Sequence, residues 1–207
     1  MIKVVLFDVD GVLIDSVEAN WKFHNFLNKK FGGRELSLEE YEEKFFSKTM
    51  RENTKECCPS LTETELEEAC KYGVQMYPSF HKYIKMKPHV VEILEALNKK
   101  FRLGIVTGRV ETIILKDLNI EKYFEHQVTI KDYKNSKPHP EPLLMALKKF
   151  SVKPEEAIYI GDQWNDAEAA KNAGLKSIIY GKATKGDYNI EDLLEIPTVL
   201  KKLIVKY

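Results

Sequence analysis

Cysteine is scarce and badly spaced for structural use. The chain has three, Cys57, Cys58 and Cys70. An odd count with two adjacent fits neither a disulfide framework nor the paired C-x-x-C ligands of a zinc site, so a reducing cytoplasm is the expected compartment. Net charge is missing too. The 32 basic side chains cancel the 32 acidic ones, so no global field draws the chain to nucleic acid or to an anionic membrane. No apolar run approaches the roughly 18 residues that span a bilayer, and the apolar segment after Lys3 meets Asp8 too soon for a signal peptide. Arginine is confined to Arg34, Arg51, Arg102 and Arg109. Internal repeats and low-complexity tracts are absent. The five histidines, His24, His81, His89, His126 and His139, have no acidic or cysteine partner at ligand spacing and read as ordinary surface or core positions.

What is present suits a soluble globular protein. At 207 residues, 43% hydrophobic and 31% charged, the chain is long enough for one sizeable core and a small second domain. Its most unusual stretch comes first. Val4 to Phe7 read as a strand buried on both faces, yet Asp8, Asp10 and Gly11 follow at once. While the chain stays extended, Asp8 and Asp10 point to the same side, where like charges raise each other's pKa. A divalent cation with oxygen ligands relieves that repulsion, and Gly11 lets the backbone turn sharply after the pair. The bland alternative is a strand-end turn with solvated aspartates.

The pattern then turns helical. Asp15 with Glu18, Ser37 with Glu40, and Thr62 with Glu65 have the spacing of capping boxes, and three or four helices are expected between about Ser16 and Tyr83 with no strand among them. Trp21, Phe23, Phe26, Phe45 and Phe46 are expected to form the core of this block. Lys44, Lys48, Arg51 and Asn53 either face an anionic ligand or lie on a solvated helix face. From Pro88 onward short β-rich runs alternate with amphipathic helices: strands at 103–107, 127–130, 157–160 and 177–180, helices at 112–118, 141–150 and 166–173, and a terminal helix from Ile190 to Ile204 broken at Pro197.

Five strands separated by helices imply an α/β fold, a Rossmann-like doubly wound parallel sheet with strand order 3-2-1-4-5 and an inserted α-helical cap. The expected core is residues 1–15 and 86–207, and the expected cap is 16–85. Ligands bind such sheets at the carboxyl ends of the strands. Asp8 and Asp10 end the first strand, Thr107-Gly108-Arg109 the second, and Gly161-Asp162 the fourth, so the polar clusters are expected at one edge.

These residues carry a resemblance. Asp8-Val9-Asp10-Gly11-Val12-Leu13, then Val106-Thr107-Gly108-Arg109, then Lys137-Pro138, then Gly161-Asp162 with Asp166, resemble the four ordered motifs of the haloacid dehalogenase-like hydrolase superfamily. The helical insert directly after the first motif resembles the cap of its phosphoglycolate phosphatase and β-phosphoglucomutase branch. The resemblance implies a Mg²⁺-dependent phosphatase acting on a small phosphorylated metabolite. Asp8 would be the nucleophile that forms an aspartyl-phosphate, and Asp10 the acid and base. Asp8, the Asp10 carbonyl and Asp162 would hold Mg²⁺, with Asp166 supporting them from behind. Thr107, the Gly108 N–H and Lys137 would bind the phosphoryl oxygens and offset their charge.

Each role has a structural rival: a helix cap for Thr107 and for Asp166, a surface charge for Lys137, a turn for Asp162. Gln163-Trp164 departs from the small residue expected after Gly161-Asp162. Arg109 and Asn165 flank the motifs and stand outside the catalytic set. An aspartate at position 10 fits phosphate-ester chemistry, because relatives that act on carbon–halogen bonds or on phosphonates replace it. The alternatives in function are a β-phosphoglucomutase-like phosphomutase and, from another class, a non-catalytic phosphate-binding or signalling module.

Overall fold

The computed structural model describes residues 1–46, 48–182 and 184–204. In chain order the elements are β1 (Val4–Phe7), β2 (Ile14–Asp15), α1 (Val17–Lys30), α2 (Leu38–Lys44), α3 (Met50–Cys57), α4 (Glu63–Met76), β3 (Lys85–Met86), α5 (Val90–Asn98) and β4 (Arg102–Val106). They continue with α6 (Ile113–Asp117), β5 (His126–Val128), α7 (Glu141–Phe150), β6 (Ala157–Gly161), α8 (Trp164–Asn172), β7 (Lys176–Tyr180), β8 (Tyr188–Ile190) and α9 (Ile196–Ile204). Two compact units result, one of Met1–Ile14 with Met86–Tyr207, the other of Asp15–Lys85. Among the described residues no helix is long and apolar enough to cross a membrane.

The first unit is built on a parallel sheet in the order β5-β4-β1-β6-β7-β8. Counted along the sheet this is 3-2-1-4-5 with a sixth strand added at the edge. The order reverses beside β1, where strands leave in opposite directions through β4 and β6; doubly wound sheets bind ligands at such a point. All four β1 residues are completely buried, which is why the strand is an unbroken apolar run rather than an alternating one.

One face of the sheet packs on α7 and α8. Val4, Leu6, Val106 and Tyr159 point that way, into a cluster with Leu143, Leu147, Phe150 and Ala170. On the other face Phe7 meets Phe124 edge to face, with ring centroids 6.1 Å apart.

Gly104 shows how tight this packing is. It lies opposite Leu6 in the ladder, and a Cβ there would come within 2.5 Å of the Phe150 ring and 2.9 Å of Leu6. The glycine thus makes room for Phe150 against the middle of the sheet.

Two expectations for the C-terminal region need correction. The terminal helix does not begin at Ile190: Tyr188–Ile190 is β8, paired parallel with β7 in the register Ile178 to Tyr188. Nor does Pro197 break a helix. It is the second residue of α9, where its missing N–H has no intrahelical partner to lose.

The second unit is helical. Ser37 accepts the Glu40 N–H at 3.1 Å, and Thr62 with Glu65 forms a complete capping box. Thr49 with Glu52 forms another at the start of α3, one the sequence reading did not include. The Asp15–Glu18 box does not form. Ser16 precedes α1 with no side-chain cap bond, and Asp15 instead accepts the Val17 N–H at 3.2 Å.

Tyr41, Phe45, Leu36, Cys57 and Cys58 make a buried cluster with Trp21 and Phe46 against it, while Phe23 packs on Tyr77 and Phe80 at 5.1 and 5.6 Å. Of the polar candidates, Lys48 pairs with Glu56 and Arg51 with Glu63. Asn53 is fully buried; it donates to the Phe45 carbonyl at 3.2 Å and meets His24 Nε2 at 3.1 Å. It therefore serves the interior of this unit. Burial pushes the His24 pKa down to about 4, so the ring is neutral near pH 7.

Replacing Gly104 by valine is expected to destabilise the chain by about 1–3 kcal/mol through overpacking against Phe150. Denaturant unfolding measures this as a lowered midpoint with an unchanged slope.

Candidate active site

Sheet register brings the motif residues together. Phe7 lies opposite Ile105 on one side and Ile160 on the other, so Asp8, Thr107 and Asp162 all fall just past the carboxyl ends of neighbouring strands. The ladder extends one step further to hold them: the Asp8 N–H donates to the Ile160 carbonyl at 2.8 Å and the Thr107 N–H to the Val128 carbonyl at 3.0 Å. Asp8 and Thr107 are buried.

Lys137 is the hub of the cluster. An ammonium has three protons to give, and this one makes three hydrogen bonds: to Asp8 Oδ2 at 3.0 Å, Asp166 Oδ1 at 2.6 Å and the Tyr159 hydroxyl at 2.8 Å. With its side chain only 8% exposed, it is no solvated surface lysine. Burial opposes its charge, but the Asp166 and Asp8 carboxylates outweigh that and hold its pKa well above the ordinary lysine value.

Asp166 is fully buried and each of its oxygens is used. Oδ1 accepts from Lys137 and from the Tyr159 hydroxyl at 3.1 Å, while Oδ2 accepts the N–H groups of Asp162 and Gln163 at 3.1 and 3.0 Å. The same carboxylate therefore caps α8 and fixes Lys137. An oxygen from each of Asp8, Asp162 and Asp166 lies within 4.8 Å of the others. This cluster is electrostatically expensive. Burial pushes Asp8 up to about 8; Lys137 opposes the shift, and Asp166, Asp162 and Asp10 add to it. Burial followed by the Asp166 charge pushes Asp162 up to about 7.

Gly11 permits the approach of the first motif to the last. Its φ is +78°, a backbone conformation that favours glycine, and a Cβ there would fall 2.0 Å from Asp162 Oδ2. The Thr107 hydroxyl accepts the Arg109 N–H at 3.2 Å and so shapes the Gly108 turn. A hydroxyl that accepts still has its own proton to donate, and the space beside Gly108 is open, with nothing within 4 Å of where a Cβ would sit.

Asp10 stands apart from the lysine cluster. Its Oδ1 accepts from Arg109 Nη1 at 2.8 Å, with the arginine side chain 7% exposed and the aspartate 26%. Trp164, the departure in the last motif, is exposed on the first turn of α8.

Two residues at this site were outside the sequence set. Arg109 flanks its motif; its signal is an arginine in a lysine-rich chain directly after Thr107-Gly108. In the sequence Tyr159 is one residue of a strand. Its signal is a phenol in an otherwise aliphatic run, Ala157-Ile158-Tyr159-Ile160.

The sheet topology and the carboxylate–lysine cluster define a class. A model of the haloacid dehalogenase-like hydrolase family matches residues 5–180, and the chain belongs to that family. It is 32% identical to the pyrophosphatase PpaX of Bacillus pumilus over 90% of this chain and 86% of that one. It is 41% identical to a phosphoglycolate phosphatase of Salmonella choleraesuis over a shorter stretch, 44% of this chain and 38% of that one. The fold superposes on a β-phosphoglucomutase of Clostridium difficile with a TM-score of 0.85 at 22% identity, covering 100% and 99% of the two chains.

The raised pKa values have a consequence for stability. Between about pH 4 and pH 7–8 the folded, metal-free chain holds protons on Asp162 and Asp8 that the unfolded chain has released. The stability that these two groups contribute is therefore fully present below the ordinary aspartate range and is lost as pH rises toward 8. Above about pH 6.5, where the opposing contribution of the neutral buried His24 is complete, unfolding midpoints of the metal-free chain are expected to fall as pH rises toward 8, and Asp8→Asn to flatten the slope.

Proposed function

We propose that this chain is a Mg²⁺-dependent phosphatase that hydrolyses a small phosphate monoester or anhydride through an aspartyl-phosphate on Asp8. The observation that supports this most is the Asp8–Lys137 hydrogen bond of 3.0 Å at the end of the central strand, with Asp162 and Asp166 beside it. A nucleophilic carboxylate needs compensating positive charge before it can approach a dianionic phosphoryl group. Lys137 offers some of that charge at a fixed place.

The residues suit the metal. The donor set is entirely oxygen, as Mg²⁺ requires, and two of its carboxylates are pushed toward the protonated form by burial and then by mutual repulsion, a cost that a bound cation would reduce. Asp8, Asp162 and the main-chain carbonyl of Asp10 would hold it, with Asp166 fixing Asp162 through its N–H. Bound there, Mg²⁺ supplies the remaining positive charge against phosphate and carboxylate.

The chain's own groups perform the rest. An Asp8 carboxylate oxygen attacks phosphorus while the bond from phosphorus to the leaving oxygen breaks, and Asp10 gives that oxygen its proton. Water then attacks the phosphoryl group, Asp10 takes a proton from it, and the Asp8–phosphorus bond breaks to release inorganic phosphate. Thr107 and the Gly108 N–H donate to the phosphoryl oxygens, and Lys137 balances charge on Asp8 throughout. Tyr159 and Asp166 hold the Lys137 ammonium in place. The inserted helical block, residues 16–85, is proposed as the cap domain of a core made of 1–15 and 86–207.

Asp8→Asn and Asp10→Asn are each expected to abolish Mg²⁺-dependent release of phosphate from p-nitrophenyl phosphate, and EDTA to do the same to the wild type. Full activity in Asp8→Asn contradicts the mechanism. Phosphate release without a bisphosphate primer distinguishes a phosphatase from a phosphomutase.

A further inference from the structure

We infer that Tyr133 is a positioning residue for phosphoryl transfer: its hydroxyl, by holding the Thr107 carbonyl, keeps the Gly108 N–H aimed at the phosphoryl oxygens. This rests on the proposed role of that N–H as a donor to the group being transferred.

The geometry begins with one peptide unit. The Tyr133 hydroxyl donates to the Thr107 main-chain carbonyl at 3.1 Å, in a buried bond. The peptide that follows is trans, and a trans peptide is planar, so the carbonyl of Thr107 and the N–H of Gly108 point in opposite directions. Fixing the first therefore fixes the second. Two further bonds hold the same turn: the Thr107 N–H donates to the Val128 carbonyl at 3.0 Å, and Thr107 Oγ1 accepts the Arg109 N–H at 3.2 Å. The phenol adds a hold on the carbonyl, from a loop far away in sequence.

That loop is firmly anchored. On one side of Tyr133 the Asp132 carboxylate accepts the Thr129 N–H at 2.8 Å. On the other, the N–H groups of Lys134 and Asn135 donate to Glu141 at 3.0 and 3.1 Å. The ring itself is buried in the cluster that contains Val106, Val128, Leu143 and Phe150. Burial pushes the phenol up to about 12, so the hydroxyl keeps the proton that it donates. A phenylalanine ring would fill this apolar space equally well. Burying the hydroxyl costs desolvation that one bond to a carbonyl roughly returns, so packing alone does not favour tyrosine here. Transfer of the phosphoryl group gives the hydroxyl a use. Charge spreads over the equatorial oxygens as the bond to the leaving group breaks, and a donor already fixed in direction stabilises it without reorganising.

The test compares the wild type with Tyr133→Phe and with Leu147→Val, a change in the same apolar cluster. Each is assayed with Mg²⁺ on p-nitrophenyl phosphate, inhibited with orthovanadate as a five-coordinate mimic of the transferring group, and unfolded in urea. Loss of an oxyanion donor outright costs about a hundredfold or more in kcat, so a loosened one in Tyr133→Phe is expected to cost about tenfold. KM is expected to stay within about twofold, and the vanadate inhibition constant to rise by about the same factor as kcat falls. Leu147→Val is expected to lower the urea midpoint and to leave kcat within about twofold of the wild type. Unchanged kcat and vanadate inhibition in Tyr133→Phe overturn the inference, as does an equal loss of kcat in Leu147→Val, which would assign the effect to a loosened core. Failure of Tyr133→Phe to fold overturns it too, because the hydroxyl would then be structural. None of these results touches the phosphatase reading. A wild type that releases no phosphate overturns that reading and the inference with it.

Discussion

The carboxylate cluster at the end of the sheet depends on one buried ammonium. Asp8, Asp162 and Asp166 are crowded where water is largely excluded, and like charges at that distance resist ionising together. Lys137 offsets this by donating to two of the three and to a tyrosine. Removing one partner from such a buried pair costs far more than the pair contributes, because it leaves a charge uncompensated. In the proposed mechanism the lysine is therefore structural and chemical at once. It makes the aspartates tolerable in the fold and leaves Asp8 oriented at the edge of the sheet.

That ammonium is positioned by parts distant in sequence. Tyr159 comes from the middle of β6, Asp166 from the first turn of α8 and Asp8 from the end of β1. Each is placed by an ordinary folding constraint: a fully buried strand pairing, a helix N-terminus that needs acceptors, and a ladder continued one step beyond Phe7. Gly11 and Gly104 are required by the same crowding, one so that the first turn can lie against Asp162, the other so that Phe150 can reach the sheet.

Much of this was legible in the sequence. Apolar strands ending in polar clusters gave the sheet, its order and the edge that carries the site, because a strand buried on both faces leaves a distinct run of residues. The four motifs named the aspartates, Thr107 and Lys137. What escaped was local or long-range in a way that pattern does not record. β8 is three residues long, Tyr188-Asn189-Ile190, too short for periodicity to separate from a helix start. Asp15 and Glu18 have capping-box spacing, but the residue that precedes the helix is Ser16, whose side chain makes no cap bond. Tyr159 looks like core until its hydroxyl is seen between Lys137 and Asp166. The Arg109–Asp10 pair joins two motifs, and neither motif alone announces it.

Covalent phosphorylation of Asp8 is tested by mass spectrometry of the protein quenched in acid during turnover of a phosphate ester with Mg²⁺. A phosphoryl adduct is expected on the peptide containing Asp8, and is expected to be absent from Asp8→Asn. Steady turnover by the wild type with the adduct on another residue, or with an adduct that persists in Asp8→Asn, would contradict it.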